Sequence, residues 1–134
     1  MSIEDSSLNL IRQTAIADTA IAALIESNIY LSELPSITSP NYPCISIDYD
    51  SGRKIMHQQG FKFVELFVWS YSSSSYREAK NVYDAFVDKF HDDRFFDTNV
   101  NIVMRESGIP SKHYDKDSGL YFYVSNWKLA CSTR

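Results

Sequence analysis

The sequence has few of the residues on which catalytic and cofactor-binding loops depend. Its 134 residues include only four glycines and two cysteines. The phosphate loop G-x-x-x-x-G-K-[ST], the dinucleotide loop G-x-G-x-x-G, and the motifs H-E-x-x-H and G-x-S-x-G are absent. His57 and His113 lie in predicted loops without a neighbouring nucleophile and carboxylate. We therefore expect no catalytic residue, no bound cofactor and no metal ion, and we predict that the chain is not an enzyme.

Long apolar runs and clustered positive charge are also missing. No run approaches the roughly 18 apolar residues that a membrane helix needs. The start MSIEDSSLNLIRQ carries acidic residues where a signal peptide would carry lysines. We expect a soluble, unexported chain that makes no membrane contact. The net charge is −4 and the 13 Lys and Arg residues are scattered, which disfavours a protein that grips nucleic acid.

The two cysteines do not form a motif. Cys44 and Cys131 are far apart in the sequence and lack Cys-x-x-Cys spacing. In a chain that is not exported we expect both to be reduced, buried thiols.

The composition is that of one globular domain spanning residues 1–134, because 44% of the residues are hydrophobic and the length suits a single core. Near the N-terminus, Leu8, Ile11 and Ala15 recur at helical spacing. Asp18 is a predicted N-cap that starts a second short helix after a kink. The N-terminal region is therefore predicted to be a broken helix lying on an apolar surface.

A proline-rich segment and an alternating strand come next. Three prolines between Pro35 and Pro43 exclude a helix and favour an extended arm or loop over residues 28–43. In CISIDYD, Ile45, Ile47 and Tyr49 share one face of a predicted strand, and the following DSG is a turn signal.

Residues 60–92 are the most strongly patterned part of the chain. GFKFVELFVWSY predicts a strand that is apolar on both faces, either covered on each side or buried in an assembly contact. Ser75 and Glu78 have the spacing of a capping box. The helix that begins there is predicted to bury a single stripe of side chains, namely Ala79, Val82, Tyr83, Phe86, Val87 and Phe90.

The C-terminal third is predicted to contain two further strands. NVNIVMRES forms one, the region of Gly108 and Pro110 forms a loop, and LYFYVSNWKLACS forms the last. On the last strand Tyr121, Tyr123, Trp127 and Leu129 share one face. The order of elements favours an α+β domain, with an antiparallel sheet of about four strands and helices packed on one face.

Two polar stretches resemble metal sites but have simpler explanations. DKDSG at residues 115–119 resembles a calcium loop, yet its glycine is fifth instead of sixth and the twelfth position is Asn126, so we predict a hairpin turn. His91, Asp92 and Asp93 are consecutive at a helix end, where side chains point in different directions. We interpret His91 as a residue placed favourably against the helix dipole.

The aromatic content leaves two interpretations open. Nineteen Phe, Tyr and Trp residues in one domain indicate either a thick core with half-exposed tyrosines or a surface that binds other subunits. The candidate interface residues are Phe61, Phe63, Trp69, Tyr121, Tyr123 and Trp127.

Several segments in sequence resemble one protein family over nearly the whole chain. They are IAALIESNIYLSELP, YPCISIDYD, VELFVWSYSSSSYREAKNVYDAFVDKF and HYDKDSGLYFYVSNWKLAC. Together they resemble the tail terminator, or tail completion, proteins of tailed bacteriophages, a family that includes small head–tail joining proteins of siphophages and gene transfer agents. The signatures are VWS before a serine-rich turn, the amphipathic helix after it, and the D-x-x-x-G turn before the final strand.

The resemblance implies a structural virion protein that forms a homo-hexameric ring. Such a ring caps the tail tube protein, ends tube growth and offers a surface to a head-completion or stopper protein of the neck. DNA would be only passing cargo in its lumen, and the protein would reside in the virion tail or neck after assembly in the host cytoplasm. Two alternatives remain, a stopper or connector of the phage neck and a small-molecule-binding or enzymatic α+β domain.

Overall fold

Three helices pack against one six-stranded sheet in the part of the chain that the computed structural model describes, residues 3–31, 40–58 and 61–133. In chain order the elements are α1 (Ile3–Ala17), α2 (Thr19–Ile25), β1 (Ile29–Tyr30), β2 (Cys44–Gln58), β3 (Phe61–Ser72), α3 (Tyr76–Phe90), β4 (Asp93–Phe96), β5 (Val100–Asp115) and β6 (Leu120–Thr133).

The broken N-terminal helix is confirmed. The Asp18 carboxylate accepts a hydrogen bond from the Ile21 N–H at 3.1 Å, which caps the first turn of α2. The axes of α1 and α2 are bent by 87° at this break. Among the described residues no single helix is both long and apolar enough to cross a membrane, and only this bent pair passes the length and composition test.

The sheet is larger than the sequence predicts and is not wholly antiparallel. Its strand order is β1-β2-β3-β6-β5-β4, and every pair is antiparallel except β1 with β2. The α+β class is confirmed, whereas the sheet has two more strands than the roughly four predicted and one of its pairings is parallel. The two extra strands are very short, since β1 has two residues and β4 has four. Residues 32–39 of the predicted proline-rich arm lie outside the described residues.

A predicted turn and a predicted loop are instead β-bulges inside long strands. DSG lies within β2, where the strand advances from Tyr49 to Lys54 while its partner β3 moves only two residues. Gly108 and Pro110 lie within β5, which advances from Ser107 to Ser111 while β6 moves two residues. Extra residues opposite a shorter partner stretch bend a strand without ending it. Turn-forming residues therefore mark bulges here.

The first turn of α3 is held by serines, as predicted, but through a longer network. Ser75 Oγ accepts a hydrogen bond from the Glu78 N–H at 3.1 Å. The Glu78 carboxylate does not reach back to the cap residue itself. It accepts from Ser72 Oγ at 2.7 Å, and Ser72 Oγ in turn accepts from the N–H groups of Ser74 and Ser75. The last residue of β3 therefore joins the sheet to the start of the helix.

The main core lies between the helices and one face of the sheet. From the helices it takes Leu8, Ile11 and residues of the predicted α3 stripe, and from the sheet it takes Ile45, Leu66 and their neighbours on that face. Of the predicted stripe, only Val87 is partly exposed, and the other five members are buried. None of the described helices contributes to the smaller cluster on the opposite face of the sheet, so the two faces differ in how they are covered.

Candidate assembly surface

The six predicted interface residues do not lie on one surface. Side chains that are direct cross-strand partners point to the same face of a sheet. Trp69 is paired with Val124, so it points away from the face that carries Tyr121 and Tyr123. Phe63 shares the helix-free face with Trp69, and both are half-buried. Phe61 pairs with Ser132 through its backbone, and its side chain lies outside what the structure describes.

Trp127 belongs to the core and is withdrawn from the candidate interface. Its side chain is fully buried, and its ring meets Phe86 edge-on with 5.2 Å between centroids. Its indole N–H donates to Ser125 Oγ at 2.9 Å, so burial leaves no polar group of the ring unsatisfied. An alternating pattern places Trp127 on a face but does not tell which face the helices cover.

The helix-free face carries its own small aromatic cluster. Cys44, Tyr71 and Leu120 are buried there, and Tyr71 and Phe122 lie 5.1 Å apart. The other contributors are partly buried, and they are Tyr30, Tyr42, Trp69 and Phe122. Burial raises the pKa of the Cys44 thiol to about 12, which keeps it protonated and inert at neutral pH. Both cysteines are free thiols, as predicted.

On the helix-covered face, Tyr121 and Tyr123 extend the packing of α3 to the N-terminal end of β6. Tyr121 contacts Tyr76 edge-on at 4.8 Å and Tyr114 at 4.7 Å between centroids. Tyr123 stacks with Tyr83 at 5.9 Å. These rings pack between the helix and the sheet, so only part of their surface is left exposed for contact with a partner subunit.

Exposed large hydrophobic side chains concentrate at one margin of the sheet. In the described residues they are Phe96, Val103, Ile109 and Tyr114, all of them on β4 or β5. Ile109 is the extreme case, with 92% of its surface exposed. Because Gly108 and Pro110 flank it, the sequence predicts a loop at Ile109. The feature of the sequence that could have indicated its exposure is an isoleucine between Gly108 and Pro110 in an otherwise polar stretch.

A polar corner fastens this margin to the end of α3. His91 Nδ1 accepts a hydrogen bond from the Glu106 N–H at 3.0 Å, and Tyr83 donates to the Glu106 carboxylate. Arg105 Nε donates to Asp92 Oδ1 at 2.6 Å, and this bond lowers the pKa of the Asp92 carboxyl. Burial and the bond to Glu106 raise the pKa of Tyr83.

His91 also has a contact that the sequence did not indicate. Its Nδ1 accepts a hydrogen bond from the Glu106 N–H, so the ring satisfies a backbone donor of β5. Its favourable placement against the helix dipole stays a prediction.

The other predicted polar site is a hairpin turn. Asp115 Oδ1 accepts from the Asp117 N–H and its Oδ2 accepts from Ser118 Oγ, while Gly119 adopts a φ of 70°. These contacts are those of a tight turn between β5 and β6. In the described part of the chain no three His, Cys, Asp or Glu residues are grouped so as to hold a metal ion.

Comparison with known proteins identifies the fold. One chain of a solved structure entitled "Virion of native gene transfer agent (GTA) particle" superposes with a TM-score of 0.71 and covers 91% of both chains. The fold is shared with a virion chain. Identity is 12%, so this likeness concerns the fold alone. No protein-family model matches the sequence. No curated protein matches it either.

The shared fold extends over nearly the whole of both chains. Coverage of 91% of each chain includes the sheet and its helices, not a shared fragment. The hydrogen bonds around His91 and the exposure of Ile109 are observations on this chain, and the structural match says nothing about them. Among the described residues, the large exposed hydrophobic side chains lie on β4 and β5.

Proposed function

We propose that this chain is a structural subunit of a tailed phage-like virion, which forms a ring on the end of the tail tube. The ring stops tube growth and offers the surface to which head-side neck proteins join. The single observation that carries this proposal is the fold shared with a chain of a gene transfer agent virion over 91% of both chains. The sequence resemblance to tail terminators supplies the finer assignment to the end of the tube.

The distribution of surfaces supports assembly. A closed ring needs a heterologous contact, in which one patch of a subunit meets a different patch of the next. The helices cover only one face of the sheet, and the exposed hydrophobic residues gather at the β4 and β5 margin. The chain therefore presents distinct surfaces in different directions.

The charge supports passage of DNA. The net charge is −4 per chain, so a ring of six copies carries a large negative charge. Like charges repel, and a negative lumen lets DNA pass without binding it. We propose DNA as cargo and not as a ligand.

The polar groups support a structural role. Tyr83, Glu106 and His91 bond one another or the backbone, and Arg105 bonds Asp92. Each of these hydrogen bonds joins two segments of the fold. We propose that the chain catalyses nothing.

The test is to mix the purified protein with the tail tube protein of the same particle. Electron microscopy should show tubes capped at one end, with tube length falling as the protein is added in increasing ratio to tube subunits. Native mass spectrometry of the caps should count six copies. Tube protein alone and bovine albumin in place of the chain are the controls, and both should leave tube length unchanged.

Two outcomes would contradict the proposal. Binding to the portal and not to tubes would identify a neck stopper. A strict monomer that ignores tubes and carries a small molecule through native mass spectrometry would identify a ligand-binding domain.

A further inference from the structure

We infer that the helix-free face of the sheet, at its β4 end, binds the helix layer of a second copy of this chain. The binding surface, here named the basic patch, comprises Arg94, Phe96, Val103, Arg105 and Lys128. It meets a groove between α2 and the outer side of α3, here named the acidic groove. The inference rests on the proposed function and specifies which surfaces of neighbouring subunits meet in the ring.

The charges of the basic patch have one sign. Side chains of direct cross-strand partners point to the same face, and Arg94 is paired with Val103. Two residues along β5, Arg105 is paired with Lys128. Among the described residues of β4, β6 and β5 up to its bulge, every charged side chain on this face is positive. This corner of an acidic protein is therefore basic.

Two of the three cations are available to a partner. Arg105 is held by Asp92 of the same chain. Within the described residues, no ion pair involves Arg94 or Lys128. Glu65 on β3 lies opposite Lys128 in the sheet and offsets part of its charge. Arg94 has no acidic residue opposite it, so it is the cation best placed to meet a carboxylate of another molecule.

Apolar side chains accompany these charges. Phe96 is 60% exposed and Val103 is 36% exposed. The row that begins at Val103 continues through Ala130 to Phe63, both of them half-buried. Aromatic residues and arginine are enriched in protein interfaces, where an apolar centre is bordered by polar groups. The basic patch has this composition.

The acidic groove lies on the outer side of the helices. It has a volume of about 340 Å³ and is lined by Asp18, Ala20, Asn81, Asp84, Ala85, Asp88 and Lys89. Its two alanines are small and leave room for the side chain of a partner, and three of its four charged residues are acidic. Asp18 caps α2 and Asp84 is bound by Lys80. No ion pair within the described residues involves Asp88, so its charge is available.

Charge identifies the occupant of the basic patch as another copy of this chain. The net charge is −4, so two copies repel each other on average. Opposite charges at the contact offset this repulsion and orient the two molecules as they meet. The acidic groove supplies the opposite sign from the chain's own surface.

The position of the two surfaces makes the contact repeat. The basic patch is on the sheet face that points away from the main core, whereas the acidic groove is on the outer side of helices that cover this core. The contact is therefore heterologous, and each copy can bind one neighbour through its patch and another through its groove. Such a contact gives a closed ring when the rotation between copies divides a full turn.

The decisive variants reverse the charges of Arg94 and Asp88, which are both exposed. Each variant is titrated onto tail tubes, and the protein concentration that caps half of the tube ends is measured. We expect Arg94→Glu and Asp88→Arg each to raise that concentration about tenfold or more, because like charges then meet at every contact of the ring. The double variant should restore the wild-type concentration, because opposite charges meet again.

A second double variant controls for net charge. Arg94→Glu combined with Asp117→Arg has the net charge of the wild type, but Asp117 lies in the turn between β5 and β6, outside both surfaces. We expect this variant to cap as poorly as Arg94→Glu alone. Circular dichroism should give every variant the wild-type melting curve, since all the substituted side chains are exposed.

Mixing the two single variants tests the identity of the occupant. In a ring of six that alternates between them, the altered patch of one variant meets the altered groove of the other, and at the next contact two unchanged surfaces meet. An equal mixture of Arg94→Glu and Asp88→Arg protein should therefore cap tubes at the wild-type concentration. Native mass spectrometry of the caps should find equal numbers of the two variants.

The outcomes separate this inference from the proposed function. Wild-type protein that never caps tubes would overturn the proposed function and the inference with it. Three results would overturn the inference and leave the proposed function standing. They are normal capping by either single variant, single defects that neither the double variant nor the mixture restores, and rescue of Arg94→Glu by Asp117→Arg. A defect of Arg94→Glu alone would assign the basic patch to the tail tube or to a neck protein.

Discussion

Replacing Trp127 by alanine tests the division between core and surface on which the interpretation depends. The side chain is fully buried, and its ring packs edge-on against Phe86. Its N–H donates to Ser125 Oγ, which itself lies 3.4 Å from the Val68 carbonyl that it hydrogen-bonds. The substitution therefore removes the largest side chain of the core and the donor of a buried hydrogen bond.

The expected loss is large for a domain of this size. Truncation of a buried tryptophan to alanine costs about 3–5 kcal/mol, because a cavity remains where the ring packed. That is a substantial share of the roughly 5–15 kcal/mol by which small domains are stable. At about 4 °C for each kcal/mol, the melting temperature should fall by about 15 °C.

Two companion variants show whether packing is the cause. Trp127→Phe keeps an aromatic ring but loses the N–H bond, and we expect a loss of about 1–2 kcal/mol. Trp69→Ala removes a half-buried ring from the helix-free face, so we expect about 1 kcal/mol from its smaller buried area. Urea unfolding followed by far-ultraviolet circular dichroism measures all three, since fluorescence would change with the tryptophans themselves.

The opposite ranking of the stability losses would refute the assignment of Trp127 to the core. If Trp127→Ala unfolded at the wild-type urea midpoint but failed to cap tubes, Trp127 would be an interface anchor and the assignment of the core would be wrong. An equal loss from Trp69→Ala would show that the helix-free face is packed as tightly as the helix-covered one.

Three further predictions concern local features. Ser75→Ala should cost about 1 kcal/mol in urea unfolding, because it removes the N-cap acceptor of α3, whereas Ser75→Asp should retain most of the stability. Burial and Glu106 raise the pKa of Tyr83, so the stabilisation from this residue is complete below about pH 10, the pKa in the unfolded chain, and is lost as the pH rises above that value. In urea unfolding at alkaline pH, Tyr83→Phe should therefore lose less stability per pH unit than the wild type. Equal slopes for the two proteins would contradict this explanation. Cys44 and Cys131 should react with a thiol reagent only after unfolding, and rapid reaction of native protein would show that they are accessible.

Features with local causes were predictable from the sequence. The helix over Tyr76–Phe90 and the caps at Ser75 and Asp18 depend on residues within four positions, and all are present. The bulges at residues 108–110 and after Tyr49 were read as loops or turns. Their cause lies in the partner strand, which supplies fewer residues over the same length, and that information is not local.

The candidate surface was harder to predict for a similar reason. Alternation assigned Trp69 and Trp127 to faces of their own strands, but only the pairing of β3 with β6 shows that these faces are opposite. β1 and β4 are too short to show an alternating pattern of hydrophobic residues. They form strands because each pairs with the edge of a neighbouring long strand. The exposure of Ile109 depends on where β4 ends, which the sequence does not state.

The strand order also sets the moment at which this protein can fold in the cell. β6 lies between β3 and β5, although residues 120–133 leave the ribosome after all the other described strands. Until then the aromatic residues of β3 have only β2 as a hydrogen-bonded neighbour, and α3 has no finished surface to cover. A growing chain therefore exposes hydrophobic strands until β6 has been made, and chaperones should bind stalled chains that stop before residue 120 far more than chains that extend through residue 133.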